Sequence, residues 1–594
     1  MCGIVGYVGE TNALYVLIPA LQRLEYRGYD SAGIAVIKDG KIKIAKKKGK
    51  ISQLISYLSE IDFPTYTNIG IGHTRWATHG EPSDNNAHPH LDCTEKITVV
   101  HNGIIENFAE IKSELLSRHS FSSETDTEVI AHLIEEEIKT GKVDFETAFE
   151  KAISKINGTW AIASFYSDEP DKIICARKGA PLVIGIWNKG FIISSDIPSL
   201  LPFTRKIIPL DDGDIAVVSS KSVKIKNNGV PVEKKYIEIN WDISQAEKGG
   251  FRHFMLKEIF EQPHVVEDTI KEFISVWDEI KSKFLQDKRF VITACGTSYH
   301  AGLLGKLWLE HIARVRVDVE YASELRYKDF DFRNSVLIAI SQSGETFDTI
   351  EAARKAKTEG TKIISLVNIL GSTLARESDI VLHTNAGPEI GVAATKTFLS
   401  QITSLYLLAI MLSGESKNSE YIKDIRRIPD KINQVLNHNE FIENIAEDVS
   451  KFKHAFYLGR WLSYPVAMEG ALKLKEISYI HAEAYPAGEM KHGPIALISP
   501  EFLSVFVAPQ DRVFKKTISN LMEVKARHGK IILLSDSQIQ NYENITVVNI
   551  PSVPELLFPF VSIPVLQLLA YYTAVILGHD VDQPRNLAKS VTVE

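Results

Sequence analysis

Apolar residues recur along this chain in two distinct rhythms. Over the first 240 residues they fall in short β-like runs: GIVGYV, GIAVIK, KITVVHNG, TWAIASFY and GDIAVVSS. Two stretches carry helical spacing instead, ALYVLIPALQRLEYR and DTEVIAHLIEEEIKTG, the second with Thr125 or Asp126 available as N-cap. Many strands with only two helical segments predict an α+β layered domain. From Trp241 to Gln262 the pattern breaks into a polar stretch, the expected linker. Beyond it strands and helices alternate, as βαβ units on a parallel sheet do. This half also repeats itself. KRFVITACGTSYH has a counterpart in KHAFYLGRWLSYP, and SVLIAISQSGETFDTIEAARKA matches FLSVFVAPQDRVFKKTISNLME in kind. The copies start at Lys288 and Lys453, about 165 residues apart, too far for a solenoid and right for a duplicated domain. The expected divisions are 2–240, then 241–284 as linker and start of the second half, then α/β doubly wound domains at 285–430 and 445–594, the last including the tail.

Composition narrows the class. A chain of 594 residues is too long for one core. Its 44% hydrophobic and 24% charged residues are ordinary for a globular protein. Lys plus Arg number 67 against 75 Asp plus Glu, a net charge of -8, which argues against a nucleic-acid partner. The Lys-rich KIKIAKKKGK reads as an edge strand or a solvated loop. Two apolar stretches, TFLSQITSLYLLAIMLSG and FVSIPVLQLLAYYTAVILG, are interrupted by Ser, Thr, Gln or Pro and predict buried helices, not membrane spans. The N-terminus has no charged segment followed by an apolar one, so the expectation is a cytoplasmic protein with no membrane partner. Four cysteines, Cys2, Cys93, Cys175 and Cys295, lie far apart without CxxC spacing and suggest neither a disulfide framework nor structural zinc.

Candidate chemistry clusters in four places. Ser341, Gln342, Ser343, Gly344 and Thr346 follow an apolar strand and open a helix, offering hydroxyls and free backbone N–H groups to a phosphate. No Walker lysine is present, so this is not a nucleotide loop. CGTS, with Thr297 and Ser298, also ends a strand and opens a helix, and two such loops at strand carboxyl ends can converge on one phosphate. This arrangement resembles the sugar isomerase (SIS) domain, and the duplication then reads as two SIS domains in tandem. Next, Lys473 and Glu476 sit three apart on one helix face, with His492 in KHGP downstream. Such a set suits proton transfer between adjacent carbons of a sugar. Lys589, in the tail QPRNLAKSVTVE, offers an amine for a Schiff base if the tail is ordered over a pocket.

The N-terminal half holds the fourth cluster. With Met1 trimmed, Cys2 carries a thiol and an α-amine, and an amine with a pKa of about 7.7–8.0 can take the thiol proton near neutrality. Asn102 and the backbone N–H of Gly103 offer an oxyanion hole; Arg75 and Asp126 suit the carboxylate and ammonium of an α-amino acid. His73, His79, His88, His90 and His101 show no metal pattern, and the nearby Cys93 lacks a partner in sequence, so no metal is expected.

MCGIVGY, HTRWATHG, HNGIIEN and ETDTE, in that order, resemble the class II glutamine amidotransferase domain, an N-terminal nucleophile hydrolase with an αββα sandwich. Joined to tandem SIS domains and ending in PRNLAKSVTVE, the resemblance covers essentially the whole chain. It implies an enzyme without cofactor that converts fructose 6-phosphate and glutamine to glucosamine 6-phosphate and glutamate, through glutamine hydrolysis, ammonia channelling and ketose–aldose isomerisation. It further implies that Cys2 is the nucleophile with Asn102 and Gly103 as oxyanion hole, and that Arg75, Thr78, His79 and Asp126 hold glutamine. Thr297, Ser298, Ser341, Gln342, Ser343 and Thr346 would hold the sugar phosphate. His492, contributed by a neighbouring subunit of a homodimer, would assist ring opening; Lys589 would form the Schiff base; Glu476, supported by Lys473, would move the proton. Trp76 and the tail near Ala588 would gate the ammonia channel. Ala394 stands where the resemblance would have Ser. Two other readings are weaker on residues. A phosphoribosylpyrophosphate amidotransferase would need an acidic diphosphate motif, and a sugar-phosphate-sensing regulator would have no use for Cys2, Glu476 or Lys589.

Overall fold

The β-like runs of the N-terminal half pair into two antiparallel sheets. One has eight strands in the order Ile237–Glu238, Lys206–Pro209, Val183–Trp187, Gly190–Ser194, Gly3–Gly9, Ile69–Arg75, Ser31–Lys38 and Lys41–Lys48. The Lys-rich run lies at the edge of this sheet, where charged side chains discourage further pairing. The other has seven strands, Val230–Pro231, Val223–Asn227, Asp214–Ser219, Lys172–Lys178, Gly158–Tyr166, Ile97–Ile105 and His90–Leu91. Strand alternation explains the layering. Val100, Ala161, Ala163 and Cys175 point into the core shared by the two sheets, while Val99, Ile162 and Ile174 face the helices Glu128–Gly141 and Phe145–Ile153. With both faces buried, these strands read as continuous apolar runs. The result is an αββα sandwich.

This structure is a computed structural model that describes residues 2–241, 247–537 and 545–592; the middle of the expected linker lies outside them. The chain divides into two units: Met1–Ala246 with Glu345–Phe347 and Ala588–Glu594, and Glu247–Gly344 with Asp348–Leu587. The tail from Ala588 groups with the first unit. Two expectations need correction. The first unit holds five α-helices among its described residues, not two; Ile51–Glu60, Phe108–Leu115 and Phe145–Ile153 were not legible. The first two are short, ten and eight residues, and bury only two apolar side chains each. Helix Glu128–Gly141 is preceded by Thr127, which makes no side-chain cap; Asp126 accepts instead from the Ile105 N–H at 2.8 Å.

The second unit contains two five-stranded parallel sheets of identical topology. Their orders are Arg316–Tyr321, Arg289–Ala294, Val336–Ser341, Lys362–Val367, Ile380–His383, and His481–Pro486, His454–Gly459, Leu503–Val507, Lys530–Ser535, Ile545–Asn549. In chain order each is 2-1-3-4-5, which places the topological switch between its first and third strands. In the first sheet those strands end at Ala294 and Ser341, the starting points of both hydroxyl loops. The two apolar stretches form helices Lys396–Leu412 and Phe558–Ile576, both in the core. By length and composition the segment Glu555–Ile576 would suffice to cross a bilayer, yet it is the buried core helix of this unit.

Candidate active site

In the first unit, strand Gly3–Gly9 lies between Gly190–Ser194 and Ile69–Arg75, which presents Cys2 at a sheet end beside the loop that follows Arg75. Met1 lies outside the described residues. The Cys2 Sγ accepts from the Trp76 N–H at 3.3 Å, and its carbonyl accepts from Asn102 Nδ2 at 3.0 Å and Arg27 Nε at 3.3 Å. Burial pushes the Cys2 thiol up, outweighing the lowering influence of the Trp76 hydrogen bond and of Arg75; the Asp126 carboxylate adds to the rise. The resting group is therefore a thiol that needs a base at the moment of attack.

Asn102 is held from behind. Its Oδ1 accepts from His73 Nε2 at 3.0 Å, which aims the amide N–H₂ at the Cys2 carbonyl. Gly103 adopts φ +130°, and a Cβ there would lie 2.0 Å from the Thr159 carbonyl oxygen, so only glycine fits at this position. Arg75 is buried and donates to the carbonyls of His79 and Gly80, the latter at 2.9 Å, shaping the loop that bears Thr78 and His79. His79 packs edge-on to Phe108 and keeps a buried Nδ1 without a partner among the described residues; Thr78 is exposed, and Trp76 meets Tyr29 edge-on. Sequence reasoning missed His73 as a positioning residue. It also missed Arg27, whose guanidinium pairs with Asp196 at 2.7 Å while reaching the Cys2 carbonyl.

The other histidines form a buried polar core behind this site. His88 stacks on His73 with ring centres 4.1 Å apart; His88 and His101 share the Thr127 hydroxyl, and His90 contacts that of Thr125. Burial lowers the imidazole of His73 to about 3 and holds those of His88, His90 and His101 below the ordinary value. Unfolded, each takes up a proton near pH ~6.5, so the unfolded chain binds more protons below that pH. Stability present above about pH 6.5 is lost as pH falls below it; for His73 the loss runs at up to about 1.4 kcal/mol per pH unit toward about pH 3, and His88, His90 and His101 add to it in the same direction. Thermal melts of the full chain between about pH 7 and 4 should show the first unit's midpoint falling steeply. A flat midpoint would contradict their being buried and neutral.

In the second unit the Gly296–Trp308 and Ser463–Ser478 helices meet at a buried charge cluster. Lys473 Nζ lies 2.6 Å from Glu476 Oε2, 3.4 Å from Glu469 Oε1 and 3.1 Å from the Thr297 hydroxyl. Thr297 donates to Glu469, whose other oxygen meets His300 Nδ1 at 2.8 Å. Burial alone would lower the Lys473 amine, but Glu469 and Glu476 overcome it and raise it, so the ammonium is retained. Glu476 is the half-exposed member, open to a ligand. Ser298 accepts from Gln401 at 2.9 Å. In the SQSGET loop, Ser341 Oγ accepts from the Gly344 N–H at 3.0 Å, and Gly344 at φ +63° packs so tightly on Ser372 that a Cβ would lie 2.1 Å from its hydroxyl oxygen. Gln342 and Ser343 are half-buried on the same loop, and Thr346 precedes helix Phe347–Thr358. Ser372 is buried with its hydroxyl unpartnered among the described residues. Glu469, His300, Gln401 and Ser372 escaped the sequence reading because no motif marks them; only the fold brings them to Thr297, Ser298 and Gly344.

The structure does not gather every predicted residue. His492 sits on an exposed turn, Glu489–His492, with no side-chain hydrogen bond among the described residues. Lys589 is half-buried in the tail segment that groups with the first unit. The expectation that Cys93 lacks a partner is corrected: its Sγ lies 3.5 Å from His119 Nδ1 and 3.7 Å from His132 Nδ1. Sequence could not show this because the three residues belong to separate segments.

A thiol site on an αββα sandwich, followed by paired parallel sheets with a hydroxyl-lined switch point, defines a glutamine amidotransferase whose second half is a pair of SIS domains. The glutamine amidotransferase domain family matches residues 73–202, and the SIS domain family matches 283–411 and 448–577. The chain is 52% identical over 600 residues to glutamine–fructose-6-phosphate aminotransferase [isomerizing] of Aquifex aeolicus, and 49% identical over 603 residues to that of Pyrococcus horikoshii, with 100% of both chains covered in each case. The solved C-terminal domain of glucosamine-fructose-6-phosphate aminotransferase from Francisella tularensis matches with a TM-score of 0.55 at 43% identity, covering 57% of this chain and 100% of that one. The tagatose-6-phosphate ketose/aldose isomerase of Escherichia coli, at 17% identity and a TM-score of 0.50 over 57% of this chain and 96% of its own, shares the fold. The chain belongs to the glutamine–fructose-6-phosphate aminotransferase (isomerizing) family.

Proposed function

We propose that this enzyme makes glucosamine 6-phosphate and glutamate from fructose 6-phosphate and glutamine, as a cytoplasmic homodimer acting at the first step of hexosamine synthesis. The observation that carries the reading is the coexistence, in one chain related over its full length to such enzymes, of an oriented Cys2–Asn102 pair and the Lys473–Glu476–Thr297 cluster. Residues 2–240 serve as glutaminase, 285–430 and 445–594 as the isomerase pair.

Arg75 and Asp126 hold the α-carboxylate and α-ammonium of glutamine in the loop of Trp76, Thr78 and His79. The Cys2 α-amine, free once Met1 is gone, takes the thiol proton, and the thiolate attacks the side-chain amide carbon. The oxyanion is met by Asn102 Nδ2 and the Gly103 N–H, each such donor being worth about 10²–10³ in rate. Collapse expels ammonia, and water releases glutamate from the thioester. In the second half, Ser341, Gln342, Ser343 and Thr346, with Thr297 and Ser298, hold the sugar phosphate. His492 from the partner subunit opens the ring, Lys589 forms a Schiff base at C2, and ammonia conducted past Trp76 replaces that lysine. Glu476 then moves a proton between C1 and C2, its charge set by Lys473.

Incubation of Met1-processed protein with glutamine and fructose 6-phosphate should yield glucosamine 6-phosphate; its absence from folded protein would sink the reading. Borohydride added with fructose 6-phosphate should attach the sugar to Lys589, located by peptide mass mapping. Attachment only at another lysine would remove Lys589 from the Schiff-base role.

A further inference from the structure

Four side chains with metal-ligating atoms converge in the first unit, and the proposed chemistry uses none of them. Cys93 lies in the turn between strands His90–Leu91 and Ile97–Ile105. The Asp92 carboxylate fixes that turn by accepting from the N–H groups of Thr94, Lys96 and Ile97 at 3.1, 2.8 and 2.8 Å. His119 follows helix Phe108–Leu115, while His132 and Glu135 are three apart on helix Glu128–Gly141 and share a face. The Cys93 Sγ is 3.5 Å from His119 Nδ1 and 3.7 Å from His132 Nδ1; Glu135 Oε2 is 3.0 and 3.3 Å from the same two nitrogens. All four ligand atoms lie within 4.8 Å of one another.

These edges fit a tetrahedron around zinc. Bond lengths of about 2.3 Å to sulfur and about 2.0–2.1 Å to nitrogen or oxygen give edges of about 3.6 Å for S···N and about 3.4 Å for N···O. The far side of each ring points the same way. His119 Nε2 lies 2.9 Å from Glu136 Oε1, and His132 Nε2 lies 3.7 Å from Glu128 Oε1 with no hydrogen-bond partner among the described residues. Each imidazole therefore faces a carboxylate oxygen at both nitrogens. A neutral ring has one N–H, so one nitrogen would turn its lone pair on a carboxylate. A cation at the Nδ1 side removes the conflict: both rings ligate through Nδ1 and direct Nε2–H toward Glu136 and Glu128, the outer support that metal-bound histidines ordinarily have. Both histidines and Glu135 are buried, whereas Cys93 is exposed and leaves a path for entry. Lys139 pairs with the other Glu135 oxygen and offsets part of the negative charge.

We propose that Cys93, His119, His132 and Glu135 bind one zinc ion per chain. Four protein ligands leave no open coordination position, so the site is structural. It ties the Cys93 turn to both ends of the segment 119–132, which carries Asp126, and so braces one wall of the glutamine pocket.

The test uses full-length protein stripped with a chelator, dialysed, and titrated first with Co²⁺ and then with Zn²⁺. One Co²⁺ per chain should bind with the intense ligand-field bands of a tetrahedral site and a thiolate-to-cobalt charge-transfer band, and one equivalent of Zn²⁺ should abolish both. Cys93→Ser should lose the charge-transfer band, and Glu136→Gln should keep the spectrum but weaken Zn²⁺ binding about 10-fold or more. If Cys93→Ser fails to fold, alkylation of the wild-type chain read by peptide mass serves instead: Zn²⁺ should protect Cys93. Substoichiometric cobalt, a spectrum without thiolate character, or Cys93 alkylation unchanged by Zn²⁺ would each overturn the proposal.

Discussion

Cys2→Ala should reduce glutamate release and glutamine-dependent product to background, a loss on the order of 10⁴-fold or more, while fructose 6-phosphate binding is unchanged. The size follows from the site. Among the described residues the hydrogen-bond partners of the Cys2 sulfur are the backbone N–H and carbonyl of Trp76; no imidazole or carboxylate bonds to it. Burial also favours the thiol over the thiolate. A residual pathway would need another nucleophile, and Cys175, the fully buried thiol of this unit, is pushed even further from ionisation by its surroundings. With no side-chain base at the sulfur among the described residues, the proposed base is the α-amine, so a chain with extra residues ahead of Cys2 should be as inactive as the alanine variant. Glutamate release measured by coupled assay and sugar-phosphate binding measured by calorimetry check both arms. Persistent glutamate release from Cys2→Ala would refute the nucleophile assignment.

Lys473→Met should destabilise the second unit by about 3–5 kcal/mol and abolish isomerisation. Removing the ammonium leaves Glu469 buried and Glu476 half-buried with their shared cation gone, and Thr297 loses a donor. The raised folded-state value of Lys473 means its stabilising charge is fully present below the unfolded lysine value of about 10.4 and fades only as pH rises through the higher folded value. The loss should therefore be constant across neutral pH. Lys473→Met with Glu469→Gln should recover part of the stability, because one uncompensated charge disappears, but none of the activity, because Glu476 still lacks its ammonium. Denaturant midpoints and conversion of fructose 6-phosphate to the aldose read the two effects separately. A stable, active Lys473→Met chain would remove this cluster from the reaction.

Much of this was legible from residues alone. The strand at Gly3–Gly9 and the parallel sheets follow from apolar runs, since a run buried on both faces must be apolar throughout, and the duplication follows from the repeat of those runs. Cys2, Asn102 and Gly103 were marked by the order of their motifs, and the SQSGET loop by its place between an apolar strand and a helix beside CGTS. The helices Ile51–Glu60 and Phe108–Leu115 were missed although their apolar residues follow helical spacing, because segments of ten and eight residues span only about two or three turns.

The sequence by itself determined the order of the domains and marked the candidate nucleophile and the candidate phosphate loops, because each rests on a contiguous stretch whose chemistry is local. Tertiary structure alone decided the supports: His73 behind Asn102, Glu469 and His300 around Lys473, Ser372 against Gly344, and Cys93 beside His119 and His132. These partners lie on different strands and helices. Only sheet register and helix packing bring such side chains within hydrogen-bond reach, and no pattern along the chain encodes that distance.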